Sequence, residues 1–82
     1  MEPPDVIVLD LAMPKVTGWE VLQRLKSEAR TREIPILVLS GQMERESAVR
    51  SGADAYCDKP CPPDVVLREV QALVARRRNR AV

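Results

Sequence analysis

The sequence predicts an α/β fold with a parallel sheet. Three short apolar runs alternate with segments of helical periodicity, and each run ends close to a polar residue suited to phosphoryl chemistry. The runs are Val6-Ile7-Val8-Leu9, Ile36-Leu37-Val38-Leu39 and Ala53 to Cys57, and the polar residues are Asp10, Ser40 and Lys59. Parallel sheets bind ligands beyond the carboxyl ends of their strands. Residues far apart in sequence are therefore expected to meet at one sheet edge.

Taken in order, the span from Asp5 to Asp10 is an unbroken, β-branched run between charges, which suggests a strand covered on both faces. Residues 11–17, with Pro14 and leading to Gly18, read as a loop, and Met13 and Pro14 shape it. From Trp19 to about Ala29, Val21, Leu22, Leu25 and Ala29 recur at helical spacing, with Glu20, Arg24, Lys26 and Glu28 on the other face. Trp19 reads as partly buried packing. Pro35 stops helical geometry and opens the second strand. A short polar helix follows over roughly Glu44 to Ser51, closed by Gly52, where the chain often needs positive φ. Met43, Ala48 and Val49 are its only apolar side. The third strand lies near Ala55 to Asp58. Pro62-Pro63-Asp64 then starts a last helix with the stripe Val66, Leu67, Val70, Leu73 and Val74. The order is β-α-β-α-β-α.

Composition narrows the function classes. The 82 residues carry 13 basic and 12 acidic side chains, so no global charge draws the chain to nucleic acid or membrane. No apolar stretch approaches the roughly 20 residues that cross a bilayer, and Met1-Glu2-Pro3-Pro4 lacks a signal-peptide layout. Two cysteines without a histidine fit a reducing cytoplasm. Cys57 and Cys61 stand four apart, but metal sites need more ligands, so Cys57 reads as a small core residue and redox use is not expected. The run Arg76-Arg77-Arg78-Asn79-Arg80 reads first as basic residues complementing a helix C-terminus, not as a nucleic-acid contact. No glycine-rich phosphate loop is present, which speaks against a nucleotide enzyme.

Each candidate residue has a plainer reading. Asp10 alone is a turn or cap residue; Ser40 could cap the helix after it; Lys59 alone is a solvated charge; Tyr56 could be ordinary packing.

The segment VLDLAMPKVTGWEVL, followed by PILVLSG, GADAYCDKP and a closing amphipathic helix, resembles the receiver domain of bacterial two-component response regulators. The resemblance runs from about Pro4 to Val74. It implies a partial flavodoxin-like, doubly wound sheet made of the third, fourth and fifth strands of a receiver. It divides the chain into a truncated receiver over 1–75 and a basic tail over 76–82. Asp10 matches the aspartate that accepts a phosphoryl group from a histidine kinase or phosphotransfer protein, which makes the domain a phosphoacceptor and not an enzyme. Lys59 matches the lysine that pairs with a phosphoryl oxygen. Ser40 matches the switch hydroxyl, and Tyr56 the aromatic that swings inward with it. Asp10 and the backbone carbonyl of Ala12 match ligands of Mg2+. The Lys59-Pro60 bond, trans by the general preference, becomes cis by the resemblance.

Departures from the family pattern carry expectations too. A complete receiver opens with a strand, helix, strand and helix before this stretch, and its first strand ends on an acidic pair that holds magnesium. Asp5 cannot replace that pair, because it lies roughly 17 Å from Asp10 at ~3.3 Å per residue; Asp58, beside Lys59, is a poor ligand. The strand carrying Asp10, central in the family's 2-1-3-4-5 order, would here be an edge. Such an edge invites self-association through residues 5–10, or docking onto a separate chain that supplies the missing half. The stretch between Ser40 and Lys59 is about one helical turn short of typical receivers, while small Gly41 leaves room for Tyr56 to turn inward. The main expectation is a phosphorelay receiver domain; the alternative is a phosphorylation-independent interaction module derived from one.

Overall fold

Ile36 to Leu39 present four aliphatic side chains in succession, a pattern that no single buried face can satisfy. In the computed structural model, which describes residues 4–11 and 18–80, they form the central strand β2 (Ile36–Ser40). It lies between β1 (Ile7–Asp10) and β3 (Ala55–Asp58) in a three-stranded parallel sheet of order β1-β2-β3. Ile36, Leu37 and Val38 are fully buried, and each contributes about 1.5–3 kcal/mol relative to an exposed position.

The helices are α1 (Gly18–Ser27), α2 (Arg45–Arg50) and α3 (Pro63–Arg80). Leu22 of α1 and Ala48 of α2 join Leu9, Ile36, Val38 and Tyr56 in one core cluster, with Trp19, Val21 and Leu25 packed against it. Both crossover helices therefore share one face of the sheet, as right-handed connections between strands added in one direction require. No α3 residue enters that cluster, and α3 packs against β3. This is the expected β-α-β-α-β-α fold, a part of the doubly wound flavodoxin-like architecture.

Register brings the carboxyl ends level. Asp10 pairs with Leu39, and Ser40 with Asp58. At the opposite end a charged knot holds the strand starts. Lys26 Nζ donates to the carbonyls of Arg32 and Ile34 and to Asp54 Oδ2 at 2.9 Å, while Asp54 Oδ2 also accepts from the Ile36 amide.

Two glycines answer to geometry. Gly52 has φ +106° and follows α2, where the Ala53 amide donates to Ala48 and closes the helix end. A Cβ on buried Gly18 would stand 2.6 Å from Leu11 Cα and 3.2 Å from the Asp10 carbonyl oxygen. That contact presses the start of α1 directly against the end of β1.

Several expectations change. Val8 is 45% exposed, so β1 is covered on one face only, in keeping with its place at the sheet edge. Around α2 only Ala48 is buried. Met43 precedes the helix in a left-handed turn (φ 53°) that carries its side chain into solvent, and Val49 is also exposed. On α3, Leu73 is buried and Val66, Val70 and Val74 are half-buried, but Leu67 faces out. Leu67 sits about 100° around the helix from Val66, and three strands make too narrow a floor to reach both sides. Met13 and Pro14 lie outside the described residues.

Candidate functional site

Asp10 is the last residue of β1, and Lys59 follows β3 at the same sheet edge. They are separated by 49 positions in sequence, yet Lys59 Nζ donates to Asp10 Oδ2 at 2.6 Å. The Lys59 amide donates to the Ser40 carbonyl at 2.8 Å, and the Leu11 amide to Leu39 at 3.0 Å, which extends the ladder past both strand ends. The Lys59–Pro60 peptide is cis. The pair is half-exposed, so water screens it and its worth to stability is small. Its value is positional: an ammonium is held beside a carboxylate where an incoming anion can reach both.

Ser40 is nearly fully buried. Its hydroxyl donates to Glu44 Oε2 at 2.6 Å and accepts from the Gln42 amide at 3.1 Å. The cap reading is therefore corrected. Ser40 closes the turn before α2, whereas Glu44 holds the N-cap position, with no side-chain cap bond. Tyr56, also buried, accepts from the Glu44 amide at 2.6 Å, and Arg45 lies over its ring at 5.1 Å from the centroid. Packing and polar function coincide at this residue, with the ring in the core and the hydroxyl on the first turn of α2. Ala53, Trp19 and Ile7 pack around the same cluster.

Glu44 and Arg45 escaped the sequence reading. Ser40 and Glu44 are four apart in a loop, where no periodicity assigns a shared face. Gly18 was seen only as the end of a loop. Its proximity to Asp10 depends on how α1 docks, which no local pattern encodes. At Gly41 a Cβ would meet Lys59 at an ordinary 3.9 Å, so there is room for a small side chain there.

The donor set can be tested against magnesium. That ion takes six oxygens in near-octahedral geometry. Among the described residues, no three His, Cys, Asp or Glu side chains converge to hold a metal. Asp10 brings one carboxylate, already bonded to Lys59; the Glu44 carboxylate is engaged by Ser40. Ala12, whose carbonyl was expected as a ligand, lies outside the described residues. The described residues by themselves do not fit the ion. No described helix is long and apolar enough to cross a membrane.

Comparison with known proteins fits this geometry. The family model of the response regulator receiver domain matches residues 1–71. The chain is 42% identical over 76 residues to the DNA-binding dual master transcriptional regulator RpaA of Synechocystis, covering 89% of this chain and 32% of that protein. It is 37% identical over 76 residues to the phosphate regulon transcriptional regulatory protein PhoB of Escherichia coli K12, covering 89% and 33%. The chain thus spans about a third of the length of the curated relatives it matches. Among solved structures, the receiver domain of Francisella response regulator 1452 superposes with a TM-score of 0.77 at 31% identity, covering 92% of this chain and 63% of that one. The receiver domain of sensor histidine kinase PA1611 from Pseudomonas aeruginosa PAO1, with a magnesium ion coordinated in its active-site cleft, gives 0.74 at 24% identity, covering 87% and 61%. This last likeness concerns the fold alone. The three-strand fold with Asp10 and Lys59 joined at its carboxyl edge, together with a family match over most of its length, makes this chain a member of the response regulator receiver domain family, which signals and does not catalyse.

Proposed function

We propose that this chain is the phosphoacceptor segment of a two-component relay, taking a phosphoryl group on Asp10 from a histidine kinase or phosphotransfer protein in the complete protein. The observation that carries the reading is the 2.6 Å contact between Asp10 and Lys59 at the carboxyl edge of the sheet. A carboxylate oxygen of Asp10 attacks phosphorus, the bond from phosphorus to the donor breaks, and an acyl phosphate forms as the donor leaves with its electron pair. Lys59, already at the carboxylate, pairs with a phosphoryl oxygen and offsets its charge. The Ser40 hydroxyl has one proton and gives it to Glu44 in this state, so engaging the phosphoryl group means leaving Glu44. Tyr56, bonded to the Glu44 amide, would feel that exchange. The reading places Mg2+ in the complete domain, on donors beyond those described, and places the protein in the cytoplasm.

The test is intact mass after incubation of the complete domain with magnesium and a small acyl-phosphate donor, beside Asp10→Asn. Gain of one phosphoryl group, absent from the variant, is the expected result; the segment by itself, whose described residues do not fit the ion, is expected to gain none. A folded complete domain that gains none would refute phosphotransfer to Asp10.

The place of β1 at the edge of the described sheet, with Val8 exposed, favours a second reading in which this strand pairs with another copy of the chain. This interaction module needs no phosphorylation.

A further inference from the structure

At the end of the sheet opposite Asp10 lies an open cleft of about 540 Å³ that the phosphoacceptor reading does not use. Its walls are the end of α1, the loop before β2, the approach to β3 and the last turns of α3. The floor is apolar, because Pro35 and Leu73 are both buried there. From sequence, Arg76 and Arg77 read as charges complementing a helix C-terminus. In the structure they stand three and four positions after Leu73, on the side of α3 that buries it, and both line the cleft. Arg32 lines it from the loop.

The charges of the cleft fall into two sets. Lys26 Nζ donates to Asp54 Oδ2 at 2.9 Å and to the Arg32 and Ile34 carbonyls, which occupies all three of its donors. Asp54 Oδ2 accepts from the Ile36 amide as well. That pair is neutral and satisfied. The second set is Arg32, Arg76 and Arg77 against Glu33, three positive charges against one negative. Arg77 Nη1 donates to the Pro4 carbonyl at 3.3 Å, which holds the guanidinium without neutralising it. Among the described residues, no ion pair or side-chain hydrogen bond engages Arg32, Arg76 or Glu33.

We propose that this cleft binds a small phosphate monoester, with Arg32, Arg76 and Arg77 around its phosphate and its organic part against Pro35 and Leu73. A phosphate monoester is close to a dianion at neutral pH, which matches the excess charge, and it presents three acceptor oxygens. Guanidinium forks donate to such oxygens in pairs. A tetrahedral group can take donors from α3 and from the loop at once, whereas a planar carboxylate offers fewer directions. The volume lies within the range of small-molecule sites, about 300–1,000 Å³, and exceeds what free phosphate fills. Asp10, Ser40 and Lys59 do not line the cleft, so this site stands whether or not Asp10 accepts a phosphoryl group.

The test titrates the chain with phenyl phosphate and, separately, with inorganic phosphate at fixed ionic strength, following backbone amide shifts by NMR. The expected result is a saturable shift centred on Arg32, Glu33, Asp54 and Arg76, with phenyl phosphate binding more tightly than inorganic phosphate. Arg76→Glu weakens binding by about tenfold or more, the loss of one charge-assisted hydrogen bond. Arg68→Glu makes the same change in net charge about two turns earlier on α3, outside the cleft, and leaves binding unchanged. Glu33→Gln tightens binding, a gain that a folding defect cannot produce. Shifts that never saturate, or equal weakening in both arginine variants, would overturn the proposal in favour of general charge attraction. Inorganic phosphate binding as tightly as phenyl phosphate would overturn the assignment of an ester.

Discussion

Gly18 shows how one missing methyl group can position a site. A Cβ there would stand 2.6 Å from Leu11 Cα, closer than real Cβ contacts come. The atom it meets is backbone, so relief requires β1 or α1 to shift. Gly18→Ala is expected to cost about 1–3 kcal/mol, the usual range for overpacking, read as a lower denaturant midpoint at unchanged m. The same shift moves the Asp10 carbonyl, so phosphoryl acceptance by the complete domain should fall beyond what the stability loss explains. A variant as stable as the parent would show that α1 docks differently. At Cys61 the sign of the pH effect follows from the direction of its shift. The folded thiol ionises near 11 against an ordinary 9.0, chiefly through burial, with Cys57 adding and Lys59 opposing. Its contribution to stability is full below pH 9 and is lost as pH rises through 11. Alkylation of Cys61 in the folded chain should therefore keep accelerating between pH 9 and 11, whereas in the urea-unfolded chain it levels off near 9. Coincident profiles would contradict a partly buried thiol that donates to the Asp58 carbonyl.

Between elements, the Lys26–Asp54 knot ties α1, the loop before β2 and the approach to β3 at the end of the sheet opposite Asp10. Asp54 Oδ2 accepts from both the Lys26 ammonium and the Ile36 amide, so its loss leaves a backbone donor at the start of the most buried strand without that acceptor. Asp54→Ala is expected to destabilise by about 1–3 kcal/mol. Because the knot lies away from the site, the folded fraction of the complete domain should still take a phosphoryl group. Loss of phosphorylation without loss of stability would mean the two sheet ends are coupled. The elements themselves were legible in the sequence where periodicity was strong. The run Ile36 to Leu39, the helical spacing of Val21, Leu22 and Leu25, and the glycine after α2 each specify local geometry through their own sterics. Leu67, Met43 and Val49 were misassigned to buried faces because apolarity shows which residues can be buried, not how much surface the neighbours provide.

For the whole molecule, the open question is what pairs with β1. Among the described residues β1, which carries Asp10, stands at the edge of a three-stranded sheet, and Val8 on it is exposed. If residues 5–10 pair with a second copy, the weight-average mass in sedimentation equilibrium rises with concentration, and Val8→Lys suppresses the rise through like charges at the interface. Mass that stays monomeric at every concentration removes the interaction-module reading and leaves the phosphoacceptor reading untouched.

What the sequence determined by itself was the order of elements, the strand-forming run Ile36 to Leu39 and the identities of Asp10, Ser40, Tyr56 and Lys59 as candidates. These follow from side-chain periodicity and from motif residues that lie within a few positions of one another. Tertiary structure alone decided that Ser40 is held by Glu44, that Gly18 bears on the Asp10 backbone, and that Cys61 returns to the Asp58 carbonyl. Each of these depends on how a loop or helix docks, and docking is set by the summed packing of the whole core, which no short window of residues contains.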